Sequence, residues 1–140
     1  MTRKIALITG ASRGLGRSTA LRLAAQGVDI IGTYHRQADE AQAVVAQIEQ
    51  WGGRAAMLKL DVSQSATFGA FVEDVGDVLK RVFARDDFDF LINNAGIGIH
   101  ASFAETSEAQ FDQLVAIQFK GPFFLTQKLL PLIRDGGRIL

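Results

Sequence analysis

The sequence predicts an α/β fold: a doubly wound parallel sheet with helices on both faces. Three observations predict it. Short apolar runs alternate with longer stretches of helical spacing along all 140 residues, and such alternation builds right-handed βαβ units. The first apolar run leads into Thr9-Gly10-Ala11-Ser12-Arg13-Gly14-Leu15-Gly16, a glycine-rich turn between a strand and a helix. Polar segments recur where later strands end, which is where ligands bind in such sheets.

The elements follow in order. Lys4-Ile5-Ala6-Leu7-Ile8 is short and apolar and reads as a buried strand. Residues 17–26 are rich in alanine and leucine and free of proline, so they read as a helix, with Gly27 as its C-cap. Residues 28–34 form the second strand, and His35 and Arg36 follow at its end. Asp39 and Glu40 open the second helix, where acids suit the helix dipole. Val44, Val45, Ile48 and Trp51 supply its apolar stripe, and Gly52-Gly53 stops it.

Residues 55–60 form the third strand and run into Asp61-Val62. Ser63 or Ser65 is expected to cap the next helix. There Phe68, Phe71, Val72, Val75, Val78, Leu79, Val82 and Phe83 recur at helical spacing and mark a buried face. Asp86-Asp87 makes a turn. Residues 88–92 form the fourth strand, which leads into Asn93-Asn94-Ala95-Gly96. A loop runs to about Thr106. Ser107 then caps a long helix, expected to reach about Ile133, with a kink or break at Pro122 beside Gly121. Asp135-Gly136-Gly137 turns the chain, and Arg138-Ile139-Leu140 begins a fifth strand. The expected strand order is 3-2-1-4-5, in one domain over residues 1–140, cut short at strand 5.

Composition narrows the function. Hydrophobic residues make up 48% and charged ones 21%, as in a globular domain with a sizeable core. Lys+Arg is 15 and Asp+Glu is 15, so the net charge is zero. That balance argues against nucleic acid or an anionic membrane as partner. The absence of cysteine excludes disulfides, thiolate catalysis and cysteine-ligated metals. Two scattered histidines and no acidic cluster show no metal-ligand spacing, so no metal is expected. The start runs straight into the first strand, so no signal peptide is expected. No apolar run approaches the about 20 residues of a membrane helix. A soluble cytoplasmic protein is the expectation.

The glycine turn carries the chemistry. A turn of this kind aims several backbone N–H groups at one point, beside the positive end of a helix dipole, and so suits a phosphate. Gly10 permits the tight exit from the strand, Gly14 lets backbone approach a pyrophosphate, and Gly16 lets the helix lie close to the sheet. The spacing is G-x-x-x-G-x-G rather than the commoner G-x-G-x-x-G. The glycine turn, Tyr34-His35, Asp61-Val62 and Asn93-Asn94-Ala95-Gly96 all fall at the carboxyl ends of strands. Their convergence on one edge is a stronger signal than any one of them.

These segments, with Gly136-Gly137-Arg138-Ile139 and Lys120-Gly121-Pro122-Phe123-Phe124-Leu125, resemble the short-chain dehydrogenase/reductase family over the whole chain. The resemblance implies a Rossmann fold, a nicotinamide dinucleotide, and hydride transfer between an alcohol and a carbonyl. It implies that Gly10, Ser12, Arg13, Gly14, Leu15 and Gly16 hold the pyrophosphate and adenosine ribose. Asp61 and Val62 would flank the adenine, with Asp61 accepting from its amino group. Asn94, Ala95 and Gly96 would pass beside the ribose, and Asn93 would tie strand 4 to its neighbours. NAD-binding members place an acid at the end of strand 2. Tyr34 stands there, His35 and Arg36 follow, and Arg13 can reach the same place, so NADP(H) is expected over NAD(H).

Two departures stand out. Gln118 occupies the place of the asparagine in the family's catalytic relay, one methylene longer. The family's catalytic serine and Tyr-x-x-x-Lys follow its fifth strand, whereas the only tyrosine here is Tyr34, with no lysine four residues later. We therefore expect the N-terminal portion of a longer oxidoreductase, or a truncated product, inactive by itself. The alternatives are a non-catalytic nucleotide-binding fragment and an oligomerisation partner. His100 stands in a loop over the cleft and is left out of the catalytic set. The expected substrate is a small alcohol or carbonyl. Family members commonly pair through the fourth and fifth helices, so a homo-oligomer through the fourth helix is expected, helped by an apolar helix face and a fifth strand at the sheet edge.

Overall fold

The computed structural model describes residues 2–140. The strands are β1 (Ile5–Ile8), β2 (Asp29–Tyr34), β3 (Ala55–Lys59), β4 (Phe88–Ile92) and β5 (Ile133–Ile139). The helices are α1 (Gly14–Ala25), α2 (Ala38–Gln50), α3 (Phe68–Val78), α4 (Glu108–Val115) and α5 (Gly121–Leu129). The sheet runs β3-β2-β1-β4-β5 with every neighbour parallel, the order the alternation implied.

The central strand explains the two layers. Side chains alternate across a strand, and β1 is apolar at every position, so both of its faces can be covered. Ile5 and Leu7 enter one core with Phe68, Phe71 and Val75 of α3 and Leu125 and Leu129 of α5. Ala6 and Ile8 enter the other, with Ala20 and Ala24 of α1 and Val44 and Ile48 of α2. Each fully buried Leu, Ile or Phe side chain stabilises by about 1.5–3 kcal/mol. Trp51, expected in the stripe of α2, lies outside that core and is half exposed. No helix among the described residues is long and apolar enough to cross a membrane.

The amino ends of the strands carry buried acids. Asp29 accepts from the Arg54 backbone N–H at 3.2 Å and from Arg54 Nη2 at 3.0 Å. Arg3 Nε lies 2.9 Å from Asp29 Oδ1 as an ion pair; its N–H is not aligned for a hydrogen bond. Asp89 accepts from the Ile5 N–H at 2.9 Å and from Arg85 Nη1 at 2.9 Å. Burial pushes the Asp89 carboxyl up, but the Ile5 and Arg85 bonds and the charges of Arg85 and Lys4 outweigh it, leaving it below the usual carboxylate range. Burial acts against the charge of Arg85, and its bonds to Asp87 and Asp89 hold its pKa up.

Four local expectations are corrected. Helix α1 begins at Gly14, not residue 17, so the last three residues of the glycine turn, Gly14 to Gly16, open the helix. Neither Ser63 nor Ser65 caps α3; a 3₁₀ turn, Ser65–Thr67, leads into it with no side-chain cap. Asp61 captures Ser63 instead, in an Asx-type turn that competes with capping. The long helix ends at Leu129, followed by a 3₁₀ turn, Leu130–Leu132, because Pro131 cannot continue the helical bonds. The Asp135-Gly136-Gly137 segment lies inside β5 rather than before it. Ile133 pairs with Phe88 and Arg138 with Phe90, so this segment bulges out, with Gly136 at φ 83°.

The other helix signals hold. Ser107 caps α4 in a reciprocal pair with Gln110, at 3.1 and 2.9 Å. The break expected at Pro122 is present: one turn of π-helix, Ala116–Lys120, separates α4 from α5. Pro122 has no N–H for the Gln118 carbonyl. At Gly121 a Cβ would strike the Val62 carbonyl oxygen, so glycine lets α5 press against the segment that follows β3.

Candidate functional site

The carboxyl ends of β1, β2, β3 and β4 frame a cleft of about 810 Å³. Gly10, Ser12, Arg13, Gly14 and Leu15 line it from the glycine turn, and Tyr34, His35 and Arg36 from the end of β2. Asp61 and Val62 line it after β3, and Asn94, Ala95 and Gly96 after β4. Of the expected site residues, Gly16 and Gln118 stand outside the lining.

The turn is braced from both sides. Gly10 and Gly14 have φ 65° and 59°, a left-handed region that glycine enters without a Cβ penalty. Thr33 of β2 accepts the Gly10 N–H on Oγ1 at 3.1 Å and the Ala11 N–H on its carbonyl at 2.8 Å. Thr9 Oγ1 accepts the N–H groups of Asn94 and Ala95 at 3.0 and 2.9 Å. Asn94 Nδ2 donates back to the carbonyls of Thr9 and Gly10, both at 3.1 Å. Gly16 closes the brace: a Cβ there would strike the Gly10 carbonyl oxygen and stand 2.5 Å from Asn94 Nδ2.

What the brace leaves free matters most. A helix's first amides have no partner inside the helix. Here Arg13 gives no side-chain cap, and the Gly14, Leu15 and Gly16 amides find no acceptor among the described residues. A Cβ on Gly14 would meet nothing within 4 Å, so backbone there is open to a ligand. Orphan amides and a helix dipole at one point form an anion site.

At the β3 end, Asp61 Oδ1 accepts from Ser63 N–H at 3.0 Å and Ser63 Oγ at 2.7 Å. Its Oδ2 lies 3.3 Å from His35 Nε2. Burial raises the Asp61 pKa, but the two Ser63 bonds and the nearby His35 and Arg36 outweigh it, so the carboxyl falls below its ordinary value. Asp61 is thus an anionic acceptor at neutral pH. Arg13 and Arg36 are exposed and enter no ion pair among the described residues.

At the β4 end, Asn93 donates its N–H to the Leu140 carbonyl at 2.8 Å and Nδ2 to Thr126 Oγ1 at 3.1 Å. It ties β4 to β5 and α5. Gln118, in the π turn, accepts the Ile97 N–H on Oε1 at 3.1 Å and so holds the loop after Gly96. His100 does not line the cleft. Among the described residues no group of three or more His, Asp or Glu could hold a metal ion.

Sequence reasoning missed Thr33, Gln37, Leu60, Ser63, Ile97, Gln113 and Ile117, which also line the cleft. For Thr33 a signal existed. Hydroxyls at the ends of strands beside a glycine turn are placed to accept its N–H groups. For Gln113 and Ile117 none existed, because only tertiary packing turns that part of the fourth helix toward the cleft.

The family model for short chain dehydrogenases matches residues 4–140. Tetrahydroxynaphthalene reductase PfmaG of Pestalotiopsis fici is 34% identical over 137 residues, covering 98% of this chain and 47% of that protein. Hydroxynaphthalene reductase-like protein Arp2 of Metarhizium brunneum is 30% identical, covering 98% and 49%. Among solved structures, angucycline C-6 ketoreductase LanV with bound NADP is similar at TM-score 0.93 and 38% identity, over 99% of this chain and 54% of that one. A short chain dehydrogenase from Burkholderia cenocepacia J2315 in complex with NADP gives 0.87 and 35%, over 99% and 54%. The chain spans about half the length of the relatives it matches. Strand order, braced turn and family match agree, and the chain belongs to the short-chain dehydrogenase family.

Proposed function

We propose that this chain forms the NADP(H)-binding half of an oxidoreductase that interconverts an alcohol and a carbonyl. One observation carries the cofactor choice. The end of β2 bears Tyr34 where an acid would repel a 2′-phosphate, and Arg13 and Arg36 line the same cleft. The residues fit a dinucleotide: open backbone at Gly14 and unpartnered amides at Gly14, Leu15 and Gly16 suit its pyrophosphate. The reductase names of the relatives and the NADP in LanV and the Burkholderia structure support the reading.

The dinucleotide, when bound, supplies or accepts the hydride. The chain's own residues bind and orient it. Gly10, Ser12, Arg13, Gly14 and Leu15 hold the pyrophosphate and ribose, with Gly16 supporting the turn from behind. Asp61 accepts from the adenine amino group beside Val62. Asn94, Ala95 and Gly96 flank the second ribose, and Gln118 steadies them through Ile97. Ile97 and Ile117 give the near wall an apolar character, and a hydroxynaphthalene-type carbonyl is the first substrate to try. A second copy docks along α4, the π turn and α5, where Phe111, Phe119 and Phe123 are exposed.

Calorimetric titration tests the cofactor. Arg13→Ala costs about 1–3 kcal/mol of NADP binding, the range of a charge-assisted hydrogen bond, and little NAD binding. Equal losses for both cofactors overturn the assignment.

A further inference from the structure

We propose that Asp135 is a site of isoaspartate formation, and that the fold shields both asparagines from the same kind of rearrangement. The chemistry needs only the chain and water. The backbone nitrogen of the following residue attacks the side-chain carbonyl carbon and closes a five-membered succinimide. For aspartate the new C–N bond replaces the C–OH bond, and water leaves with the amide proton. Water then adds back at either imide carbonyl. Opening at one restores aspartate; opening at the other gives isoaspartate, whose main chain runs through the β-carbon. Nothing is oxidised or reduced. An asparagine follows the same course with ammonia as the leaving group.

A side chain on the attacking residue crowds the ring, so glycine is the permissive neighbour. Asp135-Gly136 is the only Asp-Gly pair in the sequence, and no asparagine precedes a glycine. Both residues are exposed. Gly136 has φ 83°, and a Cβ there would meet nothing within 4 Å, so its surroundings are open. Ile133 pairs with Phe88 and Arg138 with Phe90, so residues 134–137 are out of register and bulge from the sheet. Arg138 Nη1 donates to the Gly136 and Gly137 carbonyls at 2.7 and 2.9 Å. Neither bond engages the Gly136 nitrogen, the atom that attacks. The Asp135 carboxyl enters no ion pair among the described residues.

Asn93 and Asn94, the only asparagines, are held in the opposite way. Attack on Asn94 needs the Ala95 nitrogen, whose N–H donates to Thr9 Oγ1 at 2.9 Å. The Asn94 amide is itself tied to the Thr9 and Gly10 carbonyls, both at 3.1 Å. Attack on Asn93 needs the Asn94 nitrogen, which donates to the Ile92 carbonyl and Thr9 Oγ1, both at 3.0 Å. The Asn93 amide donates to Thr126 Oγ1 at 3.1 Å. Ring closure at either asparagine breaks bonds that brace the cleft; at Asp135 it breaks none of these. The added main-chain carbon falls within the bulge, ahead of the register pairs Arg138–Phe90 and Ile139–Leu91, so the sheet persists.

The test incubates the chain at neutral pH, folded and, in parallel, unfolded in urea. Digests are separated by chromatography with mass spectrometry. Isoaspartyl carboxyl groups are counted by enzymatic methylation with labelled S-adenosylmethionine. In the folded chain the peptide holding Asp135 gains a second peak of unchanged mass that accepts methyl groups, while the peptide holding Asn93 and Asn94 stays intact. In urea both peptides convert. Asp135→Glu loses the second peak, because a six-membered imide closes far more slowly. Asp135→Asn converts faster than wild type in the folded chain, because ammonia leaves without prior protonation of a carboxylate. Far-ultraviolet circular dichroism stays unchanged as the isoaspartyl form accumulates. Isoaspartate at Asp135 in urea alone overturns the proposal, because the fold then protects the bulge. Absence of isoaspartate at Asp135 in both states overturns it too. Conversion of Asn93 or Asn94 in the folded chain at the rate seen in urea overturns the shielding.

Discussion

Replacing Thr9 by valine tests whether the glycine turn is held by the brace described above. Valine keeps the β-branched shape and loses only the hydroxyl. Thr9 is 2% exposed, and its Oγ1 accepts two backbone N–H groups, Asn94 at 3.0 Å and Ala95 at 2.9 Å. A fully buried donor left without an acceptor costs about 1–3 kcal/mol. The Asn94 N–H keeps the Ile92 carbonyl at 3.0 Å, so Thr9→Val orphans only the half-buried Ala95 N–H and costs about 1–2 kcal/mol. Thr33→Val supplies the internal standard. Thr33 is equally buried, but its hydroxyl accepts one N–H group, that of Gly10 at 3.1 Å. It therefore costs about 1–2 kcal/mol. Urea unfolding, followed by far-ultraviolet circular dichroism, measures both. The expected outcome is a similar loss for Thr9→Val and Thr33→Val, each about 1–2 kcal/mol, with unchanged denaturant slopes. A Thr9→Val loss well under about 1 kcal/mol refutes the reasoning, because the Thr9 hydroxyl then contributes nothing that water cannot replace.

Three further outcomes follow from the packing and the charges. The Asp89 pKa is depressed in the fold, so its stabilisation is present above the unfolded value of about 3.9 and is lost as pH falls through the folded one. Wild-type stability should decline below about pH 4, and Asp89→Asn should be less stable at neutral pH with a flatter acid limb in pH-dependent denaturation. Gly121→Ala drives a methyl group into the Val62 carbonyl and should cost about 1–3 kcal/mol of overpacking; Gly76→Ala, with open space around it, should instead gain about 0.5–1 kcal/mol. Both are read as shifts in the thermal midpoint. Phe119 is 74% exposed, and Phe119→Lys should lower the mass seen by light-scattering chromatography, whereas a wild-type monomer at high concentration would sink the proposed pairing of copies.

The sheet was legible in the sequence because its signal is redundant. The strands β1 to β4 are mostly apolar, every connection between strands contains a helix, and the glycine turn fixes which strand comes first. The same alternation put Tyr34, Asp61 and Asn94 at one edge without any knowledge of contacts. Other features depend on competition that a linear reading does not weigh. Ser63 could cap a helix or close a turn on Asp61, and the carboxylate two residues away won. Leu130, Leu132 and Ile133 continue a helical apolar pattern equally well as they enter a strand, so only Pro131 marked the boundary. Gly136-Gly137 reads as a turn until Phe88 and Phe90 are seen pairing on either side of it. The buried acids Asp29 and Asp89 are uninformative alone, because their partners Arg54 and Arg85 are brought to them only by the folded sheet.

The π turn has a consequence for what the cleft can hold. Gln118 grips the loop after β4 through Ile97, and Gly121, three residues on, abuts the segment after β3 at Val62. Both jaws of the cleft are thus mounted on one short piece of helix, like the arms of a calliper on a single bar. The bar joins the two jaws directly, in addition to the sheet and the Thr9 brace that hold the strand ends. Loop substitutions change which groups a ligand meets, whereas one residue added or deleted within 118–121 would rotate one jaw by about 100° relative to the other.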